Sequence, residues 1–213
     1  MRRPWALVPV KDPARGKSRL APLLDPDSRH ALNLFLARQT LEVCSEFFGA
    51  RRTLVVTTSA AVAALARGLG AGVIPEAGDD GLNGALAAAA HGAIDAGADA
   101  VAVVPVDLAL ISHAALWDAT AAMPDGPGCL LVPDRRGSGT NLLVLSPARS
   151  DLFAFGDGSL QRHAALAAAS GCRVRIHRSE DLALDLDLPE DYRAWTGTGR
   201  TGAGASLQPT FAS

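Results

Sequence analysis

Apolar and polar positions along the chain fall into blocks that switch between a strand-like and a helix-like rhythm. Trp5–Val10 is a short apolar run that ends in a Pro-rich, basic segment, the pattern of a buried strand feeding a loop. Asp27–Glu46 carries apolar residues at Leu32, Phe35, Leu36, Leu41 and Val43 behind an Asp/Ser start, which predicts a capped helix. Thr53–Thr57 is a β-branched strand, Ser59–Leu69 an Ala/Leu helix and Gly72–Pro75 a brief strand. Asn83–Ala96 reads as helix, Ala100–Val104 as a buried strand, and His113–Met123 as a helix begun by Ser112. Strand and helix in strict alternation require crossover connections and parallel pairing, hence a three-layer α/β domain.

After Met123 the rhythm loosens. Strands at Cys129–Val132 and Asn141–Leu145 flank the turn-rich Pro133–Gly139. The loop Phe155–Ser159, a helix to about Ser170, a strand Arg173–His177 and a short helix after Pro189 follow. Such irregularity is expected where loops close over a site. The chain is therefore read as one domain over residues 1–195 and a disordered tail over 196–213, rich in Gly, Thr, Ser and Ala.

Composition changes this picture mainly by exclusion. The 213 residues carry a formal net charge of −2, so no general attraction to nucleic acid or an anionic membrane is expected. The apolar stretches are broken well short of the ~20 residues of a membrane span, and Met-Arg-Arg-Pro-Trp does not resemble a signal peptide, which predicts a cytoplasmic protein. Cys44, Cys129 and Cys172 are far apart, and the five histidines lack metal-ligand spacing, so a thiolate or imidazole metal site is not expected.

Charge matters locally instead. Lys11, Arg15, Lys17 and Arg19 lie within one loop at the carboxyl end of the first strand, the edge where open α/β sheets bind ligands. Lys11 and Lys17 are the only two lysines in the chain, against 18 arginines. A compact ammonium suits a phosphate reached at one point, although a solvated loop would look similar. Gly16-Lys17-Ser18 imitates the end of a P-loop, but the position of that motif's first glycine is Lys11, and the reading is rejected. Asp107 follows a central strand, and Asp185 and Asp187 alternate with leucines so that in extended chain they share one face. Carboxylates so placed suit magnesium, the plain alternatives being a turn cap and a half-exposed edge strand. Gly137–Asn141 and Phe155–Ser159 offer amides and hydroxyls for an anion. Asp79–Gly84 reads either as a base-binding turn or as a helix start, with Asp80 taken as the cap.

These residues together resemble the guanylyltransferase family of coenzyme F-420 biosynthesis. The resemblance is carried in order by Val8-Pro9-Val10-Lys11, Lys17-Ser18-Arg19-Leu20, Asp80-Gly81-Leu82-Asn83, Asp107-Leu108, Asp134-Arg135-Arg136-Gly137-Ser138-Gly139-Thr140-Asn141, Phe155-Gly156-x-Gly158-Ser159 and Asp185-Leu186-Asp187-x-Pro189-Glu190-Asp191. It implies a Rossmann-related, GT-A-like nucleotidyltransferase fold with a mainly parallel mixed sheet. It also implies transfer of GMP from GTP to 3-phospho-D-glycerate, phosphoenolpyruvate or 2-phospho-L-lactate, with magnesium and release of pyrophosphate.

On this chain the resemblance makes Lys17, Asp107 and Asp187 catalytic, with Asp107 and one or both of Asp185 and Asp187 as magnesium ligands. Lys11, Lys17, Arg19, Gly81 and Asn83 would bind the nucleotide, and Thr140, Gly156 and Ser159 the acid. Ala109 stands where the family commonly has proline, which affects a turn and no functional group. Expected partners are the two substrates, the next transferase of the pathway and a second copy in a homodimer. The rival readings are a molybdenum-cofactor or sugar-phosphate nucleotidyltransferase and a non-catalytic nucleotide-binding domain. An acceptor phosphate is already ionised near neutrality, so no strong general base is required.

Overall fold

The structure, a computed structural model, describes residues 4–75 and 81–200. Seven strands, β1 (Trp5–Pro9), β2 (Thr53–Thr57), β3 (Gly72–Pro75), β4 (Val101–Val103), β5 (Gly128–Pro133), β6 (Thr140–Ser146) and β7 (Arg173–Ile176), form one sheet in the order β3-β2-β1-β4-β6-β5-β7. Every pairing is parallel except those of β6 with β4 and β5. The reversal has a local cause: β5 and β6 are joined by a short turn instead of a helix, which permits only antiparallel neighbours.

Helices cover both faces because the central strands are apolar on both sides. Even-numbered residues of β1, β4, β5 and β6 (Ala6, Val8, Ala102, Leu130, Leu142) pack with α1 (Pro26–Cys44), α2 (Ala60–Gly68) and α4 (His113–Ala121). Odd-numbered ones (Leu7, Val101, Val103, Leu131, Leu143) pack with α3 (Gly81–Asp95) and α5 (Ser159–Ala169). A third cluster, in which Leu20, Leu32, Leu110, Leu186 and Trp195 are buried, joins the basic loop to α7 (Pro189–Gly197). It supports the loops of the carboxyl edge from beneath.

Helix starts follow the capping residues. Asp25, two residues before the expected start, accepts from Ser28 N at 2.7 Å with Pro26 in the first turn, and Ser59 and Ser112 cap α2 and α4. The acidic segment is not an edge strand: Ser179 caps a short helix α6 (Glu180–Ala183), and among the described residues one antiparallel bridge, Leu108 to Asp185, is all the pairing that follows. The boundary at 195 falls inside α7, which runs to Gly197, and Arg200 forks onto Asp181 at 2.6 and 2.9 Å. The rest of the expected tail, from 201, lies outside the described residues, as does Asp80.

Candidate active site

The basic loop leaves β1 and folds into two single 3-10 turns, Pro13–Arg15 and Ser18–Leu20. Asn33 of α1 anchors it by donating to Pro13 O at 2.7 Å. The anchor explains Gly16, because a Cβ there would lie 2.8 Å from Asn33 Nδ2. Lys17 follows with φ 58° and ψ 35°, a left-handed conformation that costs a non-glycine residue roughly 1–2 kcal/mol. In that conformation its ammonium turns inward, 3.3 Å from Asp187 Oδ1 and 3.9 Å from Asp107 Oδ2, with only 8% of the side chain exposed.

The two carboxylate segments are tied together by backbone. Leu186 N donates to Asp107 O at 3.0 Å and Ala109 N to Leu184 O at 3.2 Å, which sets Asp185 and Asp187 beside Asp107. Buried Asp191 accepts from the N–H groups of Asp187 and Leu188, and Arg135 and Arg136 flank it at 3.8 and 3.9 Å. Burial raises the Asp107 carboxyl above the usual carboxylate range, with Lys17 opposing and the Asp187 charge adding. Burial and the neighbouring Asp107 charge push Asp185 up to about 6. The site holds more negative charge than Lys17 neutralises.

That excess fits a divalent cation. Asp107 and Asp187 already converge on one cation, the Lys17 ammonium, and hard carboxylate oxygens suit magnesium. Among the described residues no group of three or more His, Cys, Asp or Glu forms a protein cage. Magnesium is commonly held by one or two carboxylates and completed by substrate phosphates, so the pair is the expected donor set.

A cleft of about 430 Å³ opens here, lined by Lys11, Arg15, Lys17, Asp107 and Asp187 and by Leu82 of α3. Arg15 and Arg19 are both exposed; Arg15 lines the cleft and Arg19 does not. A larger groove of about 560 Å³ at the opposite sheet edge contains Asp125 as its one ionisable group. Chemistry, and not size, selects the first.

The expected acceptor residues also meet. Opposite the Val132–Pro133 step the register of β6 slips by one residue, since Val132 faces Leu142 while Pro133 faces Thr140. The bulge inverts the alternation. Thr140 consequently turns toward α5, where its Oγ1 lies 3.0 Å from His163 Nδ1 and 3.2 Å from Ser159 Oγ. Asn141 turns toward α6, donating to Leu182 O at 2.9 Å and standing 3.5 Å from Asp185 Oδ1. Gly156, at φ +118°, sits where L side chains are strained, and the absent Cβ leaves room for Arg162, whose Nη2 would otherwise lie 3.2 Å away.

Asn83 is redirected. Its amide accepts from Phe155 N at 2.8 Å and donates to Phe155 O at 3.2 Å, so both ends of the carboxamide hold the acceptor loop, and the geometry does not carry a base contact. Gly81 begins α3 with φ +62°. Arg15 and Asn141 lie in loops that the sequence singles out. Sequence reasoning missed Arg162 and His163, because an arginine or a histidine inside a helix carries no motif.

The fold and this edge define a class, the GT-A-like nucleotidyltransferases. Solved structures of similar fold include a nucleotidyl transferase from Methanothermobacter thermautotroptrophicus, with TM-score 0.60, 18% identity and coverage of 92% of this chain and 97% of that one. A cytidylyltransferase from Leptospira borgpetersenii serovar Hardjo-bovis aligns with TM-score 0.57 and 15% identity over 90% of this chain and 84% of that one. The sequence is more particular: residues 5–199 match the family described as guanylyl transferase CofC like, and the chain belongs to that family. Its relatives include the phosphoenolpyruvate guanylyltransferases of Rubrobacter xylanophilus, 38% identical over 92% of this chain and 94% of that protein, and of Sphaerobacter thermophilus, 34% identical over 96% and 98%. The chain is a nucleotide-transferring enzyme of the guanylyltransferase kind. Among the described residues no helix is long and apolar enough to cross a membrane.

Proposed function

We propose that the chain transfers GMP from GTP to a phosphorylated three-carbon acid, with pyrophosphate as the second product, and that phosphoenolpyruvate is the acid. The observation that carries the reading is the Lys17 ammonium held between Asp107 and Asp187 in a cleft that Lys11 and Arg15 also line. The names of the relatives support phosphoenolpyruvate, and the family resemblance of the sequence implies a role in making coenzyme F-420.

An acid phosphate oxygen attacks the α-phosphorus, forming a new P–O–P link. The bond from that phosphorus to the bridging oxygen of the β-phosphate breaks, and its electron pair leaves with pyrophosphate. The reacting groups are all anions, so the barrier lies mainly in bringing them together. Lys11, Arg15 and Lys17 offset the triphosphate charge, and Thr140, Gly156 and Ser159 orient the acid. Asp107 and Asp187 would hold magnesium, which when bound supplies further neutralisation of phosphate charge.

The test is purified chain with GTP, magnesium and each of phosphoenolpyruvate, 2-phospho-L-lactate and 3-phospho-D-glycerate, following pyrophosphate. The expected result is acid-dependent release with the highest kcat/KM for phosphoenolpyruvate. A higher value for another acid would overturn that choice of acceptor, and release independent of every acid would overturn the transfer itself.

A further inference from the structure

A buried polar chain runs beneath the acceptor loops. Ala154 N–H donates to His163 Nε2 at 2.9 Å, His163 Nδ1 lies 3.0 Å from Thr140 Oγ1, and Ser159 Oγ lies 3.2 Å from Thr140 Oγ1. His163, Ser159 and Thr140 are 1%, 2% and 6% exposed, so bulk water competes little with the bonds among them. The backbone donor decides the tautomer: with Nε2 accepting, the one hydrogen of a neutral ring is on Nδ1 and points at Thr140. Burial holds the ring neutral by lowering its pKa to about 4, and Phe155 fixes its plane edge-to-face at 4.6 Å.

The hydrogen count of the pair follows. Thr140 and Ser159 own two hydroxyl hydrogens, and one of them makes the bond between the two oxygens. Among the described residues the other has no recorded acceptor. Because His163 fills an acceptor direction of Thr140, the pair is biased toward donating, the polarity that an anionic oxygen requires.

We propose that His163 is a positioning residue that sets the Thr140–Ser159 hydroxyl pair as a donor to the anionic oxygen of the acid. The inference rests on the acceptor role of those two residues. It adds a residue outside the loops, reached because the β6 bulge turns Thr140 toward α5.

Two substitutions separate the ring nitrogens. His163→Asn can keep a donor near Nδ1, whereas His163→Gln can keep an acceptor near Nε2 and loses the bond to Thr140. With phosphoenolpyruvate and GTP, His163→Gln is expected to raise the KM for the acid about tenfold, the scale of one lost charge-assisted hydrogen bond. KM for GTP and kcat should change little, His163→Asn should remain within about threefold of wild type, and His163→Gln should add nothing in a Thr140→Val background. Equal acid-KM losses in both variants, a parallel rise in the GTP constant, or a full effect in the Thr140→Val background would overturn the proposal.

A measurement on wild-type protein stands whether or not the variants fold. Imidazole nitrogen chemical shifts should show Nδ1 protonated and Nε2 bare, and the opposite tautomer would overturn the proposal. If wild type shows no acid-dependent turnover, the acceptor reading fails and this inference with it. Turnover without the predicted split removes His163 alone.

Discussion

Two carboxylates, Asp107 and Asp187, face one ammonium, Lys17, while Asp185 feels the charges of both carboxylates, and the imbalance has a thermodynamic consequence. Asp185 is pushed up to about 6, first by burial and then by Asp107, so the folded protein binds a proton there that the unfolded chain has lost. A raised carboxyl means stability that falls as pH climbs from about 4 to about 6 and stays reduced above. Asp185→Asn removes that charge. In chelator-treated protein the variant should be more stable than wild type at pH 7 by ~1–3 kcal/mol, with a much smaller gap near pH 4. Denaturation of both proteins at the two pH values checks this, and a gap independent of pH would contradict it.

Among the elements, the basic loop depends most on a single small residue. Gly16 lies against Asn33, so Gly16→Ala must displace either the Asn33 amide or the loop that carries Lys17. The expected outcome is a GTP dissociation constant weakened several-fold, with the melting temperature little changed. Titration of GTP against the variant measures it, and wild-type affinity would show that the loop position is immaterial to the nucleotide. The chain pattern made most elements readable: Thr53–Thr57 and Gly72–Pro75 are strands at the expected bounds, and Ser59 and Ser112 cap the expected helices. What it concealed are features of one or two residues. The bulge that turns Thr140 and Asn141 to opposite faces has no period to break in so short a strand. The leucines of the acidic segment alternate as in a strand, yet Leu182, Leu184 and Leu186 are buried by α6, a single bridge and the third core cluster.

Over the whole molecule, one sheet edge gathers the ends of β1, β4, β5 and β7 and the start of β6, and the basic loop, Asp107, the Pro133–Gly139 turn and the acidic segment all leave from it. Parallel crossover topology brings this about: chain segments as distant as Lys17 and Asp187 meet because their strands end on the same side. The three-layer arrangement was legible from strand and helix alternation, and the basic loop and Asp107 from their places after strands. Arg15 and not Arg19 lining the cleft, Asn83 on Phe155, and His163 beneath Thr140 depend on turns and packing that a linear pattern does not encode. The central claim is that the α-phosphoryl group, carried as GMP, moves to the acid. The most direct measurement follows isotopic label from GTP carrying it at the α- or the γ-phosphorus, with phosphoenolpyruvate as acceptor. The account predicts α-label in the guanylylated acid and γ-label in pyrophosphate; γ-label in the acid product, or no label in it from either position, would contradict it.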